Sequence, residues 1–351
     1  MVHLDTQFRP TTAPPEESAA AALRQLIMGF RTTQMIYAAA RLGVADALAH
    51  GPRSAAQVAT EVGAERRALY RLLRALASIG IFAETPDGSF AMTPLADALR
   101  TDAPGSLRSL AVLYGEEWLW CAYGRTLQSV RSGQPAFADA NGDTLYDYLD
   151  RDASAAAMFH EAMSGYSAQE ASAIVAAYDL SDGHRVVDVG GGHGALVAAM
   201  LQAHAHLTGV VFDLPAVLGG AERRFADAGL AARAACVAGD FFAAVPDGGD
   251  VYVLKSVLHN WDDAACLTIL RACRRAMTQQ ARLLVIERLI PPGNAPSEAK
   301  LFDINMLVVA GGRERTDGEY RALLRSANFD LTRIVQTRSA HSLIEAVPVH
   351  E

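Results

Sequence analysis

No apolar run in the 351-residue chain approaches the ~20 residues that a membrane-spanning helix needs, so no membrane partner is expected. The first residues carry no basic stretch followed by an apolar one, so no secretory signal is expected either. Cysteine is scarce. Cys121, Cys236, Cys266 and Cys273 form no C-x-x-C pair, no disulfide-framework spacing and no zinc-site spacing, which fits a reduced, cytoplasmic compartment. Basic residues number 31 against 39 acidic ones, and the net charge of -8 argues against broad nucleic-acid binding. What the chain has in quantity is apolar. Its hydrophobic content of 51% supplies a sizeable core, and at this length two domains are expected rather than one.

Residues 1–17 are polar and contain Pro10, Pro14 and Pro15, the composition of a flexible arm. From Ser18 to about His50, apolar residues recur at spacings of three and four, and several of them have no partner within the segment. A second subunit would cover them, so a homodimer is expected. Ser54 caps a helix that Gly63 ends, Glu65 to Ile79 forms the next helix, and Gly80 stops it. Ile81–Glu84 and Ser89–Met92, joined by Pro86-Asp87-Gly88, read as a hairpin. Two helices and a two-stranded wing make a winged helix over residues 18–105. Arg66, Arg67, Arg71 and Arg74 on its second helix admit two readings, a DNA-reading face or a solvated face on a dimerisation domain, and the acidic chain favours the second. Residues 106–180 form a mostly helical connector, broken by a loop from Ser132 to Gly142, whose many aromatics include pocket-lining candidates.

Residues 181–351 change rhythm to strand–helix–strand. Strands are expected at Arg185–Val189, Thr208–Asp213, Ala234–Ala238, Asp250–Leu254, Arg282–Glu287, Leu331–Val335 and Ser342–Ala346. The fold class is α/β: a doubly wound, Rossmann-like sheet behind a mostly helical winged-helix domain. The first strand runs into Asp188-Val189-Gly190-Gly191-Gly192-His193-Gly194, a glycine turn before a helix. Such a turn lets backbone approach a nucleotide-like ligand closely, and Gly190-x-Gly192-x-x-Ala195 also fits a dinucleotide fingerprint. Asp188 beside the turn disfavours a pyrophosphate and suits a cation such as S-adenosylmethionine (SAM).

Further acids stand at the following strand ends. Asp213 lies about twenty residues after the glycines, where an acid binds ribose hydroxyls. Asp240 and Phe241 are placed to meet an adenine, or to cap a turn and fill the core. The fourth strand leads into Lys255-Ser256-Val257-Leu258-His259-Asn260-Trp261. A histidine there can take a proton near neutral pH. Glu287, ending the fifth strand, or Glu314 could hold its ring in one tautomer, although Glu314 alone reads better as the partner of a neighbouring arginine. No compact cluster of acids and histidines is evident, so no metal is expected.

Taken in order, the glycine turn, Asp213-Leu214-Pro215, Gly239-Asp240-Phe241-Phe242, Leu258-His259-Asn260-Trp261 and Gly312-Arg313-Glu314-Arg315-Thr316 resemble the small-molecule SAM-dependent O-methyltransferases of plant phenylpropanoid and bacterial antibiotic pathways. The resemblance covers nearly the whole chain. It implies His259 as general base flanked by Glu287 and Glu314. It implies a cofactor site at Asp188, Gly190, Gly192, Asp213, Leu214, Asp240, Phe241, Lys255 and Ser256. It places Phe159, Met163, Tyr166, Asn305 and Met306 around the acceptor. Asn260 replaces an Asp of many plant members, and Tyr166 a His of some. The implied reaction moves a methyl group from SAM to a hydroxyl, expected to be phenolic, of a small aromatic natural product, and releases S-adenosylhomocysteine (SAH). Carbon or nitrogen acceptors are the alternative within the same chemistry, and a winged-helix small-molecule sensor is the alternative outside it.

Overall fold

The computed structural model describes residues 16–349, apart from the side chains at 16–18, 164 and 166–169. The expected arm before Glu16 and the side chain of Tyr166 therefore lie outside the described residues, while Glu16 and Glu17 open the first helix instead of belonging to an arm. The chain divides into two compact units, Met1–Gly115 and Glu116–Glu351.

In the first unit the expected helical run is three helices, Glu16–Ile27, Gly29–Leu42 and Val44–Leu48. Gly43 separates the last two, adopting the left-handed φ of 73° that glycine tolerates best. Ser54 and Gln57 form a capping box at the start of Ala55–Val62, and the Glu65 carboxylate accepts from the Arg67 and Ala68 N–H groups to start Arg66–Ser78. Strands β1 (Arg53–Ser54), β2 (Phe82–Glu84) and β3 (Ser89–Met92) pair in the order β1-β3-β2. The wing thus has three strands where two were expected; two residues are too short to show a period of two. Leu48, Val58, Leu69, Leu73, Phe82 and Phe90 form the core of this unit. Leu26 remains 79% exposed, with Leu23, Ile27 and Phe30 also open to solvent, so the described residues leave this apolar face uncovered.

The second unit begins with short helices and the long helix Ala153–Ala177. The loop expected over 132–142 contains a helical turn, Phe137–Asn141, because Phe137 is buried between Trp118 and Tyr148, at ring distances of 6.0 and 5.7 Å. Seven strands follow: β4 (Arg185–Val189), β5 (Thr208–Asp213), β6 (Ala234–Ala238), β7 (Val251–Lys255), β8 (Arg282–Glu287), β9 (Phe329–Gln336) and β10 (Ser342–Pro348). Their order is β6-β5-β4-β7-β8-β10-β9, with the first five parallel and β10 antiparallel to both neighbours. Val, Leu and Ile fill β4, β7 and β8 because both faces are covered: Leu283 and Val285 enter one core layer, Leu284 and Ile286 the other. The order in which strands are added reverses between the parallel neighbours β4 and β7, which opens a crevice at their carboxyl ends. Among the described residues, no helix is long and apolar enough to cross a membrane.

Candidate active site

The glycine turn after β4 closes tightly on the crevice. Gly190 has φ 73°, and a Cβ there would lie 2.8 Å from Val257 Cγ2. Asp188 lies beneath the turn and is buried, and its Oδ1 has no hydrogen-bond partner among the described residues. Burial pushes its carboxyl up to about 7, against the pull of the Lys255 ammonium. Asp213 ends β5, and its two oxygens accept from the N–H groups of Gly192 (2.8 Å) and Leu214 (2.7 Å). Asp240 is exposed after β6 and accepts from Phe242 N–H at 2.8 Å, so it caps its turn with one oxygen. Phe241 packs on Phe242 and edge-on to Trp261. An orphaned buried carboxylate oxygen beneath a turn that only a Cβ-free residue can complete fits a ligand that is cationic and pressed against backbone. SAM meets that description and a pyrophosphate does not.

At the end of β7, Ser256 adopts φ 53°, a left-handed conformation uncommon outside glycine, and β7 turns sharply into the short helix Leu258–Asn260. That turn delivers His259 to a buried position, where its Nδ1 lies 2.9 Å from Glu314 Oε1 and 3.5 Å from Glu287 Oε2. The two carboxylates divide the work. Glu287 Oε1 accepts from the backbone N–H groups of Val257, Leu258 and His259 at 3.0, 2.9 and 3.3 Å, which fixes the loop. Glu314 takes the ring itself, so Nδ1 carries the proton and Nε2 is the basic nitrogen. Burial pushes the imidazole pKa down, but the charges of Glu287 and Glu314 outweigh it and hold it above the ordinary value. Burial likewise raises Glu287. Phe302 stacks on the imidazole at 6.2 Å between ring centroids.

The supporting segment is equally specific. Arg315, fully buried, donates to the carbonyls of Leu258 (2.9 Å) and Trp261 (2.8 Å) and pairs with Asp263. Arg313 pairs with Asp263 and Glu319, so both arginines that flank Glu314 are spent elsewhere, which leaves Glu314 to His259. A Cβ at Gly312 would sit 1.9 Å from the His259 carbonyl oxygen, so no side chain fits there. The expectation that no compact acid–histidine group exists is also corrected. His259, Glu287 and Glu314 each offer a ligand-type atom within 4.8 Å of the others, which sequence distance concealed.

The acceptor candidates are less closely gathered by hydrogen bonds. Asn305 Oδ1 accepts from Tyr123 OH at 2.7 Å, and Met306 is buried at the start of a π-helical turn, Met306–Ala310. Such turns recur at functional sites. Phe159 and Met163 are half-buried on the long helix. Sequence reasoning missed Arg315 and Phe302, while Tyr123 was one of the connector's aromatic pocket-lining candidates. Only Arg315 carried a local signal, as the second arginine of a short charged run in a largely apolar C-terminal half.

Residues 123–330 match the family model of the O-methyltransferase domain, and residues 24–102 match that of the O-methyltransferase dimerisation domain. The chain belongs to the SAM-dependent O-methyltransferase family. It is 42% identical to a phenazine O-methyltransferase of Lysobacter antibioticus over 93% of this chain and 96% of that one. It is 36% identical to an 8-amino-8-demethylriboflavin N,N-dimethyltransferase of Streptomyces davaonensis, over 95% and 97%. The crystal structure of CalO1, a methyltransferase in calicheamicin biosynthesis with SAH bound, superposes with a TM-score of 0.86 at 37% identity, covering 96% of this chain and 100% of that one. The family match sets aside the small-molecule sensor.

Proposed function

We propose that this O-methyltransferase methylates a phenolic hydroxyl of a small aromatic natural product, with His259 as general base and no metal. The observation that carries the reading is the buried His259, whose Nδ1 is committed to Glu314 and whose Nε2 is left as acceptor. Asp188, Gly190, Gly192, Asp213, Leu214, Asp240, Phe241, Lys255 and Ser256 would hold SAM, which supplies an activated methyl group and leaves as SAH. Phe159, Met163, Tyr166, Asn305 and Met306 would orient the acceptor. Nε2 of His259 receives the phenol proton as the oxygen is alkylated, and Glu287 and Glu314 balance the imidazolium that results. A phenol with pKa near ~10 is mostly protonated at neutral pH, which is why a base in this position accelerates the transfer.

The test is mass spectrometry after incubation with SAM and a panel of phenolic and amino-substituted aromatics, run with and without EDTA. A gain of one methyl on a hydroxyl, insensitive to EDTA, is expected. Loss of turnover in EDTA overturns metal independence. Methylation confined to nitrogen selects the second reading, which the riboflavin-type N,N-dimethyltransferase relative favours.

The remaining roles belong to the same proposal. Residues 18–105 would form the dimerisation domain, with the exposed Leu23, Leu26, Ile27 and Phe30 face covered by a second copy. Light scattering should give a dimer at micromolar concentration, and a monomer there would count against it. Residues 106–180 would contribute to the acceptor pocket, and 181–351 would carry the cofactor. The cysteine pattern supports a cytoplasmic setting.

A further inference from the structure

A second buried histidine lies at the other side of the same strand end. His341 precedes β10 and is 1% exposed. Its Nδ1 is 2.6 Å from Glu170 Oε1, on the long helix Ala153–Ala177. Its Nε2 is 3.1 Å from Ser256 Oγ and 3.5 Å from Arg288 Nη1. Glu170 Oε2 in turn pairs with Lys255 Nζ at 2.9 Å. Three segments distant in sequence, those of Glu170, Arg288 and His341, are thereby tied to two adjacent residues, Lys255 and Ser256, that leave β7 for the crevice.

The charged neighbours fix the tautomer. The Glu170 carboxylate lies against Nδ1 as an ion-pair contact, which places the ring proton on Nδ1. Arg288 donates only, so Nε2 must accept. Ser256 therefore donates its hydroxyl to Nε2, and the hydroxyl is held while the Ser256 backbone sits at its left-handed φ of 53°. Serine–histidine–glutamate is also the order of a nucleophile, its base and an orienting acid. Here the imidazolium that such a base must become is opposed by burial and by Lys255 and Arg288, and His341 is held below its ordinary pKa despite Glu170. The group is built to stay neutral and to hold position.

We propose that His341 and Glu170 are positioning residues for the cofactor, locking the Ser256 hydroxyl and the Lys255 ammonium at the crevice end of β7. The inference rests on the reading that this strand end holds SAM.

The experiment is calorimetric titration of SAH into the full-length protein, with kcat and KM for SAM on the acceptor found by mass spectrometry. His341→Asn keeps a donor near the Nδ1 position and removes the Ser256 acceptor. SAH affinity should fall roughly tenfold, the worth of one buried hydrogen bond, with KM for SAM rising in step and kcat at saturating SAM changing little. His341→Gln, which returns an amide near the Nε2 position, should recover part of the loss. Ser256→Ala should match His341→Asn, and the double variant should be no worse than either, because both remove the same bond. Losses that add in the double variant overturn the inference. So does wild-type SAH affinity in His341→Asn accompanied by a lowered melting temperature, the signature of a purely structural histidine. Should His341→Asn fail to fold, wild-type affinity in Ser256→Ala overturns it equally. A wild-type protein that binds no SAH overturns the functional reading itself, a result distinct from wild-type binding that the variants leave unchanged.

Discussion

His259 and His341 are two buried imidazoles in one unit, each with Nδ1 against a glutamate, at 2.9 and 2.6 Å. Their proton affinities are pushed in opposite directions. Burial lowers both. At His259 two carboxylates outweigh burial and the opposing charge of Arg288, and the balance is raised. At His341 one carboxylate is offset by Lys255 and Arg288, and the balance stays lowered. The lesson is that burial and a Nδ1 carboxylate do not make a base. The second negative charge does, by stabilising the imidazolium that proton transfer creates.

The contrast breaks most visibly at His259. His259→Ala should lower turnover by ~10²–10⁴-fold, the usual worth of general-base catalysis, while SAH binding and the melting temperature stay near wild type. Initial rates and calorimetry check it, and near wild-type turnover at neutral pH would remove the base assignment. Glu314→Gln is the finer cut. The amide keeps an acceptor oxygen on Nδ1 but removes the charge, so the His259 pKa should fall. Because the base must be neutral to act, wild-type rate should decline as pH drops through the raised pKa. In Glu314→Gln that decline should move to lower pH, with turnover down roughly 10–100-fold through loss of a charge-assisted bond. An unmoved acid limb would show that Glu287 alone sets the titration.

At His341 the smallest effect is expected, in stability. A folded-state pKa below the unfolded value of about 6.5 means the unfolded chain binds the proton more readily. The contribution of His341 to stability is then present above the unfolded pKa and is lost as pH falls through the folded one. The stability gap between wild type and His341→Asn, followed by melting temperature, should accordingly narrow from pH 8 towards pH 5.5, starting from about 1 kcal/mol. A gap that widens on acidification would mean that the Glu170 charge outweighs Lys255 and Arg288 after all.

Much of this was legible in the sequence, and the boundary of legibility is physical. The central strands β4, β7 and β8 were visible because buried parallel strands are short runs of Val, Leu and Ile between turns, and the edge strands followed from the alternation with helices; the glycine turn and His259 sit at strand ends that motifs mark. The partners of His259 were legible only as candidates. Whether Glu314 meets His259 or an arginine depends on where Arg315 goes, and Arg315 goes to carbonyls more than fifty residues away in the chain. The Glu170–His341 group was not legible at all, since its members come from a helix, a strand end and two loops with no shared motif. The third wing strand and the helical turn at Phe137–Asn141 were too short to show a period. The left-handed Ser256 offered no glycine to announce it.

Asp188 has a consequence for the heat of binding. With its carboxyl pushed up to about 7, part of the ligand-free population carries a proton there at neutral pH. A cation seated beside it favours the ionised form and releases that proton to the buffer. The apparent enthalpy of SAM binding would then vary with the buffer's own heat of ionisation, and the slope of that variation counts the protons that leave as the cofactor enters.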